Sequence, residues 1–199
     1  MSAEDRRAKL SPTRGRIAPA KLAHIVRRTA RFEEMIAWYE TVLAARVVHG
    51  DDMLAFLTYD DEHHRIAIAR IPGIEDGPQM AAGTDHVAFT HADLGDLLNT
   101  WARLKAEGIE PYWCLNHGPT TSMYFKDPDG NKVELQIDNF DTDEANRWMG
   151  SGEFAQNPIG IIFEPEELLA RYRGGEPLET LLRRPPLPEG ASPFDMLRF

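Results

Sequence analysis

The order of apolar and polar positions divides the central part of the chain into two similar halves. In the first half, a short apolar run predicts a strand over 21–26. Apolar residues at three-and-four spacing then predict an amphipathic helix over 31–43. Alternating runs predict further strands at about 45–49, 53–59 and 63–71. The order of elements in this half is therefore β-α-β-β-β.

The same pattern begins again in the second half. A strand is predicted over 84–89 and a helix over 93–107, and further strands follow at about 109–115, 120–126 and 131–138. His24 and His86 lie in matching strands, 62 positions apart, and the apolar positions of the two helices coincide at that offset. A period shared by strands and helices indicates two copies of one unit.

We therefore predict an α+β fold with two tandem βαβββ modules, 20–72 and 83–139, in one domain over 20–140. Residues 1–19 show no periodicity and are expected to form an N-terminal arm. Residues 141–199 are expected to form a C-terminal helical and irregular extension, with helices at 141–149 and 165–173.

Composition narrows the classes of partner. A net charge of −10 argues against nucleic acid and anionic membranes. No apolar run approaches the roughly 20 residues of a membrane-spanning helix, and we see no signal peptide. The lone Cys114 excludes an intrachain disulfide and favours a reducing cytoplasm. We expect a cytoplasmic protein that binds a small molecule, and the apolar extension favours a homodimer or higher homo-oligomer.

A hairpin closes the second module. Its turn, 127–131, reads Asp-Pro-Asp-Gly-Asn, in which proline fixes φ and glycine supplies a positive φ. In the following strand, alternation places Glu134 on the face opposite its apolar neighbours. Tyr124 lies on the partner strand. The pattern holds a carboxylate on a rigid strand, facing away from the core.

Three candidate metal ligands, His24, His86 and Glu134, occupy equivalent outward faces of the modules. If the modules pair side by side, these side chains meet in one open, barrel-like metal cavity. Two imidazoles and one carboxylate form the facial ligand set of non-haem Fe(II), which leaves positions for substrate and O₂. A single histidine is more often structural, so the prediction depends on the combination.

The paired modules and the motif from Tyr124 to Glu134 resemble the vicinal-oxygen-chelate (glyoxalase/bleomycin-resistance/extradiol dioxygenase) superfamily over about 20–138. Ala67 stands where glyoxalase-type enzymes take a fourth ligand, which favours a three-ligand site. The segments around His64 and His117 are most like those of type I extradiol catechol dioxygenases.

The resemblance implies an Fe(II)-dependent extradiol dioxygenase that cleaves the ring of a catechol-type substrate with O₂, with Mn(II) as the alternative metal. It implies that His64 lies beside O₂ and that His117 and Tyr124 contact the substrate oxygens. Structural roles stay open for all three: an exposed turn for His64, a loop contact for His117 and core packing for Tyr124.

Two other functions stay open. A metal-dependent glyoxalase or a fosfomycin-resistance-type transferase or lyase would use similar ligands, but it has no need of His64 together with His117. A non-catalytic small-molecule-binding module would leave the equivalent ligand positions unexplained. The sequence also leaves open whether the modules pair within one chain or between two chains.

Overall fold

Two mixed β-sheets, each with one long helix, form the centre of the computed structural model, which describes residues 18–75 and 82–198. The first sheet has the order β1-β4-β3-β2, where β1 is Ile25–Thr29, β2 Arg46–Gly50, β3 Leu54–Thr58 and β4 Ile66–Arg70. Its helix, α1, is Phe32–Leu43. The α+β class is confirmed.

The second sheet has the order β5-β8-β7-β6-β9. Its strands are β5 His86–Thr90, β6 Trp113–Asn116, β7 Thr120–Lys126, β8 Lys132–Asp138 and β9 Ile161–Ile162. Its helix, α2, is Leu94–Ala106. Helix α2 begins at a cap in which Asp93 accepts a hydrogen bond from the Asp96 amide, and it ends at Gly108, whose φ is 76°.

The registers of the parallel strand pairs in the two sheets agree with the 62-residue repeat. Strand β1 runs parallel to β4 with Val26 opposite Ala67, and β5 runs parallel to β8 with Ala88 opposite Glu134. Val26 and Ala88 are the residues that the 62-residue period superimposes. The register therefore places Ala67 at the position in the first sheet that Glu134 holds in the second.

A single apolar core joins the two sheets and both helices. Its fully buried side chains come from both helices and from strands of both sheets, and they include Met35, Leu97, Leu98, Ile66, Ile68, Val133 and Leu135. Burying a side chain of this size stabilises the fold by about 1.5–3 kcal/mol. Because alternate side chains of each strand are buried in this core, the opposite face of the strand is the one that can carry polar side chains.

The starts of three strands predicted from the sequence are wrong, and one of them is β6, which begins at Trp113 and not at 109. Strand β1 begins at Ile25, so His24 lies just before it, and β4 begins at Ile66, so His64 lies in the preceding loop. Just before β1, the guanidinium of Arg65 donates to the carbonyl oxygens of Leu22 and Ala23. Those two carbonyls are thereby occupied before the ladder begins.

The C-terminal extension continues the second sheet. Helix α3 (Thr142–Met149) and helix α5 (Pro165–Arg173) fall where the sequence predicts them. Three short elements were not predicted: α4 (Gly152–Gln156), α6 (Leu178–Leu182) and β9, which pairs with β6. A 3₁₀ turn follows at Pro193–Met196. Short elements such as these carry too little periodicity to be read from sequence.

Parts of the predicted organisation fall outside the described residues. These parts are most of the arm over 1–19 and positions 76–81 of the linker between the modules. Within the described ranges, none of the helices combines the length and the apolar character that crossing a bilayer would require.

The Asp127 carboxylate braces the hairpin of β7 and β8. Its Oδ1 accepts hydrogen bonds from the amides of Asp129 and Asn131, and both its oxygens accept from the Asn131 side chain. The buried Tyr39 of α1 donates to Asp127 Oδ2 at 3.2 Å, and Arg27 of β1 in turn donates to Tyr39. One carboxylate therefore shapes the turn and ties it to the first module.

We predict that Asp127→Ala lowers the free energy of unfolding by about 2–4 kcal/mol, because it leaves several buried donors without an acceptor. Asp129→Ala in the same turn removes a more exposed ion pair with Arg31 and should cost less than about 1 kcal/mol. Denaturant titration compares the two variants. Equal losses would contradict the bracing role.

Candidate functional site

The outward face of β8 carries the best-defined part of the site. Glu134 lies between the buried Val133 and Leu135, so its carboxylate points to the opposite face, where its side chain is only 6% exposed. His86, two residues before Ala88 on the adjacent strand, brings its Nε2 to 3.0 Å from Glu134 Oε2. These two candidate ligands therefore lie in direct contact with each other.

Electrostatics make this contact an ion pair. The Glu134 carboxylate raises the pKa of His86 to about 9, against the effect of burial, and Asp85 at 2.8 Å from Nδ1 adds to the rise. Burial would raise the pKa of Glu134, but His86 and Ser122 together lower it. His86 is therefore protonated. Its Nε2 proton lies between the His86 and Glu134 side chains, at the place where these two side chains would hold a metal cation.

Tyr124 and His117 form a second pair next to the first. Tyr124 is the residue opposite Glu134 in the β7–β8 ladder, and its ring meets the His86 ring edge-on at 5.4 Å. The Tyr124 hydroxyl is 2.9 Å from His117 Nε2, and His117 Nδ1 is 2.6 Å from the carbonyl oxygen of Ile159. A carbonyl oxygen only accepts, so Nδ1 carries the proton and Tyr124 donates to Nε2.

Both members of this second pair are neutral. Burial lowers the pKa of His117, and burial together with the charge of Glu134 raises that of Tyr124. Aromatic rings flank them: Trp113, opposite Tyr124 in the β6–β7 ladder, has its ring centroid 4.8 Å from that of Tyr124, and Tyr112 is 6.4 Å away. The result is a neutral donor–acceptor pair beside an aromatic wall.

His24 and His64 lie together at the start of the first sheet. Their ring centroids are 4.4 Å apart, and Phe56 meets the His64 ring edge-on at 4.8 Å. Burial lowers the pKa of His64, and the neighbouring His24 and His63 lower it further. His64 is therefore a neutral imidazole next to the first predicted ligand.

The single chain thus brings the predicted residues together in two groups. His86, Glu134, His117 and Tyr124 form one group, and His24 with His64 forms the other. Over residues 18–75 and 82–198, the chain contains no set of three or more histidine, cysteine, aspartate or glutamate side chains arranged to hold a metal ion. Ala67 gives the first sheet no carboxylate that could complete the second group.

Two contributors to the site were missed from the sequence. Asp85 contacts His86, and its place directly before that histidine is a signal that could have been used. The Ile159 carbonyl comes from a loop more than 40 positions after His117, and only the Asn-Pro-Ile-Gly turn over 157–160 marks that loop in the sequence.

A cavity of about 440 Å³ lies between the extension and the second sheet. Its lining includes Asn116, Ile161, Leu168, Leu181 and Arg184 but none of the predicted site residues. The titratable candidate residues converge on the outward face of β8 and not on this cavity.

Comparison with solved structures supports the fold. A glyoxalase/bleomycin resistance protein/dioxygenase domain from Frankia sp. EAN1pec matches with a TM-score of 0.52 at 17% sequence identity, covering 61% of this chain and 93% of that domain. At this identity the match shows the architecture of the chain and not its chemistry.

Curated relatives are much closer in sequence. Biphenyl-2,3-diol 1,2-dioxygenase 2 of Rhodococcus globerulus is 47% identical over 166 residues, which is 82% of this chain and 87% of that protein. Biphenyl-2,3-diol 1,2-dioxygenase 3 of the same organism is 42% identical, covering 82% of this chain and 88% of that protein. The family model described as the glyoxalase/bleomycin resistance protein/dioxygenase superfamily matches residues 21–135. The chain belongs to this superfamily.

Proposed function

We propose that this protein is an extradiol dioxygenase, which opens the ring of a catechol-type aromatic diol with O₂. The observation that carries the proposal is the juxtaposition of the His86–Glu134 pair with the Tyr124–His117 pair. They meet in a chain 47% identical to a biphenyl-2,3-diol 1,2-dioxygenase. The substrate class follows from the aromatic wall of Trp113 and Tyr112 and from the diol that this relative's name specifies.

His24, His86 and Glu134 are our proposed ligands for Fe(II), with Mn(II) as the alternative. Two imidazoles and a carboxylate suit either ion, and the 3.0 Å approach of His86 to Glu134 supports two of the three ligands. When bound, such a metal would take both diol oxygens, lower the pKa of the diol hydroxyls and bind O₂. Loading must displace the His86 proton, so affinity should fall as pH falls.

The protein side chains provide proton transfer and orientation. His117 Nε2 accepts the hydrogen bond from Tyr124, so a diol hydroxyl next to Tyr124 can pass its proton through the phenol to that nitrogen. Trp113 and Tyr112 orient the ring of the substrate by stacking. His64 is neutral and next to His24, so it can accept a proton and return it on the O₂ side.

We further propose that a second copy of the chain completes the metal site. Strands β1 and β5 are both edge strands, one in each sheet, with one side of their backbone unpaired by the other strands of the sheet. His24 lies at the start of β1, and His86 lies on β5. Setting β1 of one chain beside β5 of another would bring His24 to the His86–Glu134 pair and form the shared open cavity.

The apolar surface around β1 supports this arrangement. Leu22 is 74% exposed and Val26 is 55% exposed, and both lie within two residues of His24. Elsewhere in the first sheet, Val47 and Val48 of β2, the opposite edge strand, are also exposed, as are Met53 and Leu54 at the start of β3. Clusters of exposed apolar residues mark protein interfaces, and a homodimer with two equivalent sites is the simplest assembly that would use this one.

A cytoplasmic location is also proposed. It is supported by the lone Cys114, a buried free thiol with no second cysteine in the sequence to form a disulfide. Fractionation of the producing cells would test it, and recovery of the protein in the secreted fraction would contradict it.

Ring cleavage can be tested with protein loaded with Fe(II) without oxygen and then mixed with aromatic diols and air. We expect a ring-opened product with strong visible absorption. Glu134→Ala should lower both metal content and kcat/KM by more than ~100-fold. His117→Ala should keep the metal and lower kcat by about 100- to 10,000-fold, because it removes a general base.

His91→Ala is the matched control. His91 directly follows β5 but belongs to neither group of site residues, so the variant should retain metal and activity. Absence of product from every member of a broad diol panel, combined with a metal content that Glu134→Ala leaves unchanged, would refute the proposed function.

The shared site predicts complementation between two inactive variants. His24→Ala and Glu134→Ala chains carrying different affinity tags are co-expressed, and the mixed dimer is purified through both tags. One of its two sites then has His24 from one chain and His86 with Glu134 from the other. Metal content and activity should return to about half of the wild-type values in this two-fold symmetric arrangement.

A site built within one chain gives the opposite result. Each chain of the mixed dimer would lack one of its own ligands, so the purified mixed dimer would bind no more metal than either parent variant. That outcome, or a wild-type protein that is monomeric and active in sedimentation experiments, would contradict the shared site while leaving ring cleavage standing.

A further inference from the structure

We propose that the loop over 157–160 of the C-terminal extension fixes the orientation and tautomer of His117, and that Asn157 is the positioning residue that holds this loop. The inference rests on the proposed function, because it concerns the histidine that accepts the proton from the diol. It gives the extension, which lies outside the family match at 21–135, a direct part in the chemistry.

The loop acts on the orientation and tautomer of His117 through the hydrogen bond from His117 Nδ1 to the Ile159 carbonyl at 2.6 Å. Holding the proton on Nδ1 leaves the lone pair on Nε2 facing Tyr124 at 2.9 Å. If the proton moved to Nε2, the imidazole would face the Tyr124 hydroxyl with a donor and could not accept its proton. The carbonyl therefore selects the tautomer that the reaction uses.

Asn157 builds the loop that presents this carbonyl. Its side chain is almost fully buried, and its Oδ1 accepts hydrogen bonds from the amides of Ile159 at 3.1 Å and Gly160 at 2.9 Å. Its Nδ2 donates to the Gly160 carbonyl at 2.9 Å. With these hydrogen bonds, one side chain sets the direction of the peptide groups on both sides of Ile159.

Gly160 lets this loop approach β6 closely. Its φ is +127°, and a Cβ atom there would lie 2.6 Å from the Asn116 carbonyl oxygen and 3.0 Å from His117 Cα. A Cβ atom does not fit 2.6 Å from a backbone oxygen, and the positive φ would strain any residue other than glycine. The loop therefore lies against the backbone that carries His117, which keeps the 2.6 Å contact short.

Arg184 stabilises the loop with further hydrogen bonds to backbone carbonyls. Its guanidinium donates to the carbonyl oxygens of His117 at 3.2 Å and Asn157 at 2.8 Å, and it stacks over the Trp148 ring at 4.5 Å. The extension thus holds His117 at the ring and at the backbone. A loop with only a structural purpose would not need its carbonyl directed at an imidazole nitrogen.

The kinetic test uses Asn157→Ala in the Fe(II)-loaded full-length protein. We expect kcat to fall ~10- to 100-fold with KM changed little, since support of a reacting group is lost and diol contacts are kept. Asn157→Asp keeps an oxygen for the two amides and should recover most of the rate. Leu169→Ala, a buried residue of α5, should lower stability without this loss of kcat.

A double-mutant cycle separates positioning from general damage. In the His117→Ala background, Asn157→Ala should change kcat by less than ~2-fold, because Asn157 acts only through that imidazole. Equal effects of Asn157→Ala in the two backgrounds would overturn the proposal. So would an Asn157→Ala variant with wild-type kcat.

A measurement that does not need activity keeps this inference distinct from the proposed function. Nitrogen-15 NMR of the histidine rings identifies the tautomer of His117, whose signal is assigned by its loss in His117→Gln. We expect a protonated Nδ1 in the wild-type protein and a mixture of tautomers in Asn157→Ala. A protonated Nε2 in the wild type would contradict the inference even if ring cleavage is observed.

Discussion

The alternation of side chains along β8 is the constraint on which the site depends. Val133, Leu135 and Ile137 are buried in the shared core, so Glu134 must face the other way. A slip of one residue would expose three apolar side chains and bury the carboxylate among them, at a cost of several kcal/mol. Because this register is fixed, Glu134 lies opposite Tyr124 on one side and Ala88 on the other, which brings it to His86.

The two sheets pair their first four strands in the same order but contribute differently. In the second sheet, the carboxylate, the phenol and the two imidazoles form one connected group. In the first sheet, Ala67 stands at the position of Glu134, and only His24 and His64 are available. A chain with this division has two of the three proposed ligands beside β5 and the third beside β1, which is the basis for proposing that two copies join. The extension then adds what neither module has, a backbone carbonyl aimed at His117.

Much of the fold could be predicted from the sequence, because burial imposes a period on each long element. The helices over 32–43 and 94–106 and the hairpin of β7 and β8 follow from that period, and so does the proximity of His86 to Glu134. Loop contacts set by single polar side chains could not be predicted. The Arg65 side chain binds the carbonyl oxygens just before His24, and Asn157 shapes a loop that reaches His117 from a distant part of the chain. Neither contact leaves a periodic signal.

The proposed reaction inserts both atoms of O₂ into an aromatic diol. The most direct measurement is the mass of the ring-opened product formed under ¹⁸O₂, quenched early, together with the amount of O₂ consumed. The account predicts that both added oxygen atoms come from the gas and that one O₂ is consumed for each diol opened. Oxidation of the diol with release of hydrogen peroxide, and no labelled oxygen in the product, would contradict it.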